Sequence, residues 1–260
     1  MSELIELTVA TPAGSARVWE KGTGAPVVYL AGLGGLPAWP SALDALAKTR
    51  RVVAPSLPGF PGGADYERLD DIFDWSLAAV DLVQATGLAG ADLIGASVGG
   101  ALAAEVAALR PDLVRKLVLI APYGLFDEAA PIADVFAVKT GEQSALLARD
   151  PQAYDAYRAR PNSASEMDWT LMQVRAEMAA ARILWPLGDT RLSKRLFRIT
   201  QPTLIIWGAE DRVIPPVYAA KFAEAIAGKT TIVTIPQAGH KVEFDAPVAV
   251  ADAIAKFLKG

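Results

Sequence analysis

The sequence predicts an α/β fold, a mostly parallel eight-stranded sheet flanked by helices. Three observations predict it. Six short runs rich in Val, Ile and Leu punctuate the chain after two short strand-like stretches near its start. Such near-continuous apolar runs suit strands buried on both faces of a parallel sheet. Helical periodicity separates most of them, and alternation of the two is the mark of α/β layering. One interval, 122–199, breaks the alternation with helical stretches only. It reads as an insertion in a core formed by 1–121 and 200–260.

The strands are expected at Leu4–Val9 and Ala16–Trp19, around the turn Thr11–Gly14. The others are Val27–Leu30, Arg51–Ala54, Ala91–Ile94, Leu117–Ile120, Thr203–Ile206 and Thr231–Ile235. The helices are expected at Ala38–Ala47, Ile72–Thr86, Val98–Leu109, Pro216–Ala227 and Val248–Leu258. Pro151–Ala159 and Glu166–Leu184 carry the helical patterns of the insertion. That segment also holds Met167, Met172 and Met178, every methionine except Met1. Methionine fills irregular apolar surfaces and adapts to ligands.

Composition excludes several functions. The chain has 260 residues, 52% of them hydrophobic, enough for one large core. Net charge is −4 with no basic run, which argues against a nucleic-acid partner. No cysteine is present, so neither a disulfide framework nor a thiolate zinc site is expected. A single histidine excludes a metal held by several imidazoles. No metal or cofactor is therefore expected. The first ten residues lack a secretory apolar core, and no apolar run reaches the ~18 residues of a membrane span. A soluble, cytoplasmic protein is expected.

The chemistry is carried by few residues. Gly95-Ala96-Ser97-Val98-Gly99 fits the nucleophile elbow, in which a serine stands on a strained turn between strand and helix. Its context fits too, with the run Asp92–Gly95 before it and an alanine-rich helix after it. A serine hydroxyl needs a base beside it, and histidine is the usual one. His240, on the turn after the last strand, is the only candidate. A carboxylate must hold its tautomer. Asp211, past the strand ending near Trp207, is the choice, with Glu210 its rival. Ala31-Gly32-Leu33-Gly34-Gly35 follows the strand Val27–Leu30 and fits no nucleotide loop. Its backbone can aim an N–H at a developing oxyanion, from Leu33 or its rival Gly34. The N–H of Val98 would be the second donor.

The order Ser97, Asp211, His240 is that of the α/β-hydrolases. Over essentially all its length the chain resembles the lidded serine hydrolases of that family, the group with carboxylesterases and meta-cleavage-product hydrolases. Gly32–Gly35, Leu57–Gly59, the elbow, Gly208–Asp211 and Gly239–His240 carry the resemblance. It implies the α/β-hydrolase fold and makes 122–199 a helical lid. Two departures stand out. Family members usually open the oxyanion loop with His-Gly, where this chain has Ala31-Gly32. The C–C bond hydrolases of the group generally carry Asn before the nucleophile and Trp after the histidine. This chain has Ala96 and Lys241 there.

The leading expectation is cleavage of a small to medium, mainly neutral carboxylic ester through an acyl-enzyme. The alternatives are C–C bond hydrolysis of the meta-cleavage type, and a ligand-sensing receptor that retains the triad. The insertion carries ten Lys/Arg and ten Asp/Glu, so it sets up no single-sign field for a charged substrate. Gly34, Trp169, Met172 and Trp185 are expected to wall an apolar pocket. The expected partner is a small-molecule ester; a homodimer is left open.

Overall fold

The computed structural model describes residues 2–139, 142–162, 164–185 and 189–259. Eight strands form one sheet: β1 (Ile5–Thr11), β2 (Gly14–Lys21), β3 (Pro26–Leu30), β4 (Arg51–Pro55), β5 (Ala91–Ala96), β6 (Val114–Ile120), β7 (Thr203–Gly208) and β8 (Thr230–Ile235). Their spatial order is β1-β2-β4-β3-β5-β6-β7-β8. β2 runs antiparallel to both β1 and β4, and every pairing from β4 to β8 is parallel.

Sequence chemistry explains which strands lie where. β5 (ADLIGA) and β7 (TLIIWG) are buried along their whole length, as strands covered on both faces must be. β1 (IELTVAT) alternates apolar and polar residues over Ile5–Val9 and is an edge strand with no fully buried position. The core helices are α1 (Ser41–Leu46), α2 (Ile72–Ala85), α3 (Ser97–Leu109), α7 (Tyr218–Ala225), α8 (Val242–Asp245) and α9 (Pro247–Lys259). α2 starts where the Asp71 side chain accepts from the N–H groups of Phe73 and Asp74. α1 begins three residues later than expected, at Ser41, because Pro40 is extended and sets the boundary. α8 has only four residues, too few for a periodic signal.

Between β6 and β7 lie α4 (Gln143–Leu147), α5 (Pro151–Tyr157) and α6 (Glu166–Leu184). α5 and α6 follow the periodic patterns, each capped by a side chain, Asp150 and Ser165. This stretch is bolted to the core at several points. Arg195 makes a forked pair with buried Glu105 of α3, at 2.6 and 2.5 Å. The Tyr157 hydroxyl donates to the Ala38 carbonyl at 2.9 Å. The Ala133 N–H donates to the Val213 carbonyl.

The strand order turns back at β3, which has β4 on one side and β5 on the other. Parallel α/β sheets form their crevice outside the carboxyl ends of the strands at such a switch point. The chain leaves β3 into Ala31–Gly35 and leaves β5 into Ser97, so the two candidate loops face each other there.

Candidate active site

Ser97 follows β5 directly and opens α3 with φ of +53°. That left-handed conformation is strained for a residue with a Cβ, and functional sites are where such strain is kept. Close packing makes it possible. A Cβ on Gly99 would lie 2.4 Å from the carbonyl oxygens of Leu30 and Ala31, so only glycine lets α3 approach the end of β3. The Ser97 carbonyl accepts from the Tyr123 N–H, which ties the elbow to the segment after β6.

Three elements bring the candidate triad together. Ser97 Oγ lies 2.8 Å from His240 Nε2, and His240 Nδ1 lies 3.0 Å from Asp211 Oδ2. All three residues are buried, with Ser97 only 2% exposed. Asp211 Oδ1 accepts the N–H groups of Val213 and Ile214 at 2.8 and 2.9 Å. A carboxylate only accepts, so the imidazole proton sits on Nδ1 and Nε2 is left to accept from the serine hydroxyl. Glu210 points elsewhere, with its carboxylate 4.0 Å from Arg149 and half exposed.

The His240 loop is held from behind. Gln237 takes φ of +56°, and the Gly239 N–H donates to Asp245 Oδ2 at 2.7 Å. Burial pushes the Asp245 carboxyl up, against those backbone hydrogen bonds. The Tyr123 ring meets the imidazole edge-on, 5.6 Å between centroids. Burial, then the charge of Asp211, hold its phenol far above the usual range. Tyr123 therefore stays protonated and is no rival base.

The second loop lies against the elbow. A Cβ on Gly32 would be 2.8 Å from that of Ser97. The Gly35 N–H donates to the Gly32 carbonyl at 2.9 Å and closes a tight turn. Val98 is the second residue of α3, and Ala96 makes no side-chain cap bond. The first-turn N–H groups of a helix lack intrahelical acceptors and favour negative charge.

A partly open cavity of about 20 Å³ adjoins this loop, lined by Gly32–Pro37, Tyr29, Pro40, Tyr154, Tyr157, Arg158, Lys241, Glu243 and Phe244 but not by Ser97 or His240 themselves. It has room for about one water. Gly34 lines it, but Trp169, Met172 and Trp185 do not. The reason is the orientation of α6. Its buried face is Ala176, Ala179, Ala180, Ile183 and Leu184. Trp169 and Met172, nearer the start of the helix, are only partly buried, and Trp185, just past the end of α6, turns to solvent at 78% exposure. The apolar wall expected from these side chains is instead an aromatic wall from α5, joined by charged Lys241, Glu243 and Arg158. Lys241 was visible beside His240 in the sequence; Tyr154 and Tyr157 carried no signal beyond their place in the insertion.

Among the described residues no cluster of three or more His, Asp or Glu could hold a metal, and no helix is long and apolar enough to cross a membrane.

The sequence profile of the alpha/beta hydrolase family matches residues 27–253. The chain is 28% identical to 2-hydroxymuconate semialdehyde hydrolase of Pseudomonas sp. (strain CF600), over 92% of this chain and 88% of that protein. It is 27% identical to 2-hydroxy-6-oxo-6-(2'-aminophenyl)hexa-2,4-dienoic acid hydrolase of Metapseudomonas resinovorans, over 99% and 92%. The crystal structure of a serine hydrolase involved in carbazole degradation superposes with a TM-score of 0.78 at 25% identity, covering 99% of each chain.

Proposed function

The chain belongs to the alpha/beta hydrolase family, and from that premise we propose that it is a serine hydrolase cleaving a small to medium carboxylic ester. One observation carries the reading: the continuous relay from Ser97 Oγ through both ring nitrogens of His240 to Asp211, at 2.8 and 3.0 Å. Ser97 attacks the acyl carbon while His240 Nε2 takes its proton. The N–H groups of Leu33 and Val98 receive the oxyanion that forms. His240 delivers the proton to the leaving alcohol, which departs and leaves the acyl-enzyme. Water, activated by His240, then releases the acid and restores Ser97. Asp211 holds the tautomer and stabilises the imidazolium.

We assign 122–199 the role of a lid. The 20 Å³ cavity and the burial of Ser97 support this, since ligand pockets occupy roughly 300–1,000 Å³. An ester enters only if α5 and α6 move. Activity toward p-nitrophenyl esters of graded acyl length, abolished in Ser97→Ala, tests the reading. Its absence for every chain length would overturn it.

A second reading is C–C bond hydrolysis, favoured by the likeness to the semialdehyde and dienoic acid hydrolases. Ala96 and Lys241, where C–C hydrolases of the group generally carry Asn and Trp, speak for the ester. Turnover of a 2-hydroxy-6-oxo-dienoate with no ester turnover would reverse the order.

A further inference from the structure

Lys241 is 5% exposed, and its ammonium donates to the Leu33 carbonyl at 2.7 Å, across 208 positions of sequence. The ammonium also lies 5.9 Å from the Tyr154 ring centroid. Burying an ammonium is costly unless its donors are used. Its use here is specific, because the acceptor belongs to the oxyanion turn.

That turn is Gly32–Gly35, closed by the Gly35 N–H on the Gly32 carbonyl. Gly34, its third residue, has φ of +79°, the value of a type II turn. Types I and II share the closing bond and differ by a flip of the central peptide, here Leu33–Gly34. Glycine at the third position tolerates both. The turn's own chemistry therefore leaves the direction of that peptide open, and Lys241 decides it. Drawing the Leu33 carbonyl toward the ammonium sends the Gly34 N–H the opposite way, since the peptide is planar and trans.

We propose that Lys241 is a positioning residue that fixes the central peptide of the oxyanion turn and so ties donor geometry at Ser97 to the His240 loop. The Leu33 N–H, the donor assigned above, lies on the peptide that Gly35 holds. Lys241 holds the next peptide, which carries the Gly34 N–H, so the lysine acts on the donor through the backbone of the turn. The Lys241 backbone N–H also donates to the Leu147 carbonyl at 2.8 Å, so one residue joins the turn, the histidine loop and α4 of the inserted segment. Ala31 offers the turn no side-chain hydrogen bond, which leaves this support to come from the opposite loop. The inference rests on the ester-hydrolase reading for its catalytic consequence, but not for the anchoring itself.

The test compares wild type, Lys241→Met and Lys241→Arg. Amide exchange of 31–37, read by mass spectrometry, reports the anchor without needing activity. kcat and KM for p-nitrophenyl butyrate, and the Ki of butylboronic acid, report the oxyanion site. Boron accepts the Ser97 oxygen, His240 takes the serine proton, and the resulting anion occupies the place of the oxyanion. In Lys241→Met the loop amides exchange about tenfold faster. kcat falls and Ki rises together, by about tenfold, less than the loss of a whole donor because the turn loosens while its donors remain, and KM moves less than about threefold. Lys241→Arg, which keeps a charged donor, recovers part of each. Unchanged loop exchange overturns the anchor. Faster exchange with unchanged kcat and Ki overturns the positioning role, and so does a loss carried by KM. A wild type that neither turns over the ester nor binds the boronate overturns the ester reading and the catalytic consequence with it, while the exchange data still judge the anchor. If Lys241→Met does not fold, Lys241→Gln, with its shorter stem, is measured in its place against the same outcomes.

Discussion

Asp211 meets His240 Nδ1 at 3.0 Å with one carboxylate oxygen and gives the other to the N–H groups of Val213 and Ile214. The carboxylate is thus held from two sides. Its orientation does not depend on the histidine, so the ring is aligned by a group already fixed to the turn after β7. Glu210, one residue earlier, faces Arg149 and solvent.

Asp211→Asn is expected to lower kcat by about 10³–10⁴-fold. The amide can donate to Nδ1 and so favour the tautomer in which Nε2 carries the proton and cannot accept from Ser97. Glu210→Gln is expected to keep more than half of wild-type kcat. Steady-state ester hydrolysis by both variants checks this, and the reverse pattern would move the acid to Glu210.

Much of this geometry was legible in the residues. All eight strands fall within about three residues of the expected runs; for β3 to β7 the cause is that a doubly covered strand tolerates few polar side chains. The elbow was legible because its glycines have a steric cause: Gly99 lies too near the carbonyls of Leu30 and Ala31 for any Cβ. The wall of the site was not legible. Trp169 and Met172 of α6, and Trp185 just past its end, gave the sequence an apolar look, but a helix presents only one face to the core, and small residues Ala176, Ala179 and Ala180 occupy much of it. The bond between Lys241 and Leu33 joins loops 208 positions apart, and no local pattern encodes it.

Ser97 is expected to limit stability. At φ of +53° a Cβ is strained, and Ala would bear the same strain as Ser. Ser97→Gly is therefore expected to be more stable than Ser97→Ala by about 1 kcal/mol, with both variants inactive. Urea unfolding midpoints with matched m-values measure the difference. Equal stability would mean that the elbow carries no net strain.

The pair between Glu105 and Arg195 fastens the end of the inserted segment to α3, the helix that Ser97 opens. Glu105 is 1% exposed, so removing its partner leaves a buried charge. Arg195→Met is expected to cost about 3–5 kcal/mol. Arg195→Met combined with Glu105→Gln should recover part of that loss, because the uncompensated carboxylate is gone. Thermal or urea unfolding of the single and double variants checks it. A double variant less stable than Arg195→Met would show that packing, not the unpaired charge, sets the cost.

Substrate charge is the last prediction. The cavity beside the turn carries Lys241 and Arg158 on its wall, and these two cations could attract a carboxylate. Three observations argue against it. The Lys241 ammonium already donates to Leu33, Arg158 donates to Gln173 at 3.0 Å and lies 3.8 Å from Glu177, and Glu243 sits on the same wall. An anionic ester would have to break one of these contacts and approach Glu243 while losing its own hydration, which is costly in a closed site. The aromatic faces of Tyr154, Tyr157 and Phe244 offer an apolar group contact without that cost. Neutral butyrate esters are therefore expected to exceed matched hemisuccinate esters in kcat/KM by at least about tenfold, a difference of ~1.4 kcal/mol in transition-state binding. Each added buried methylene should gain up to ~0.8 kcal/mol until the pocket is full. Paired kcat/KM values at two salt concentrations check both statements. A preference for the hemisuccinate that weakens with salt would show an open cation in the site and would favour the dienoate reading over the ester.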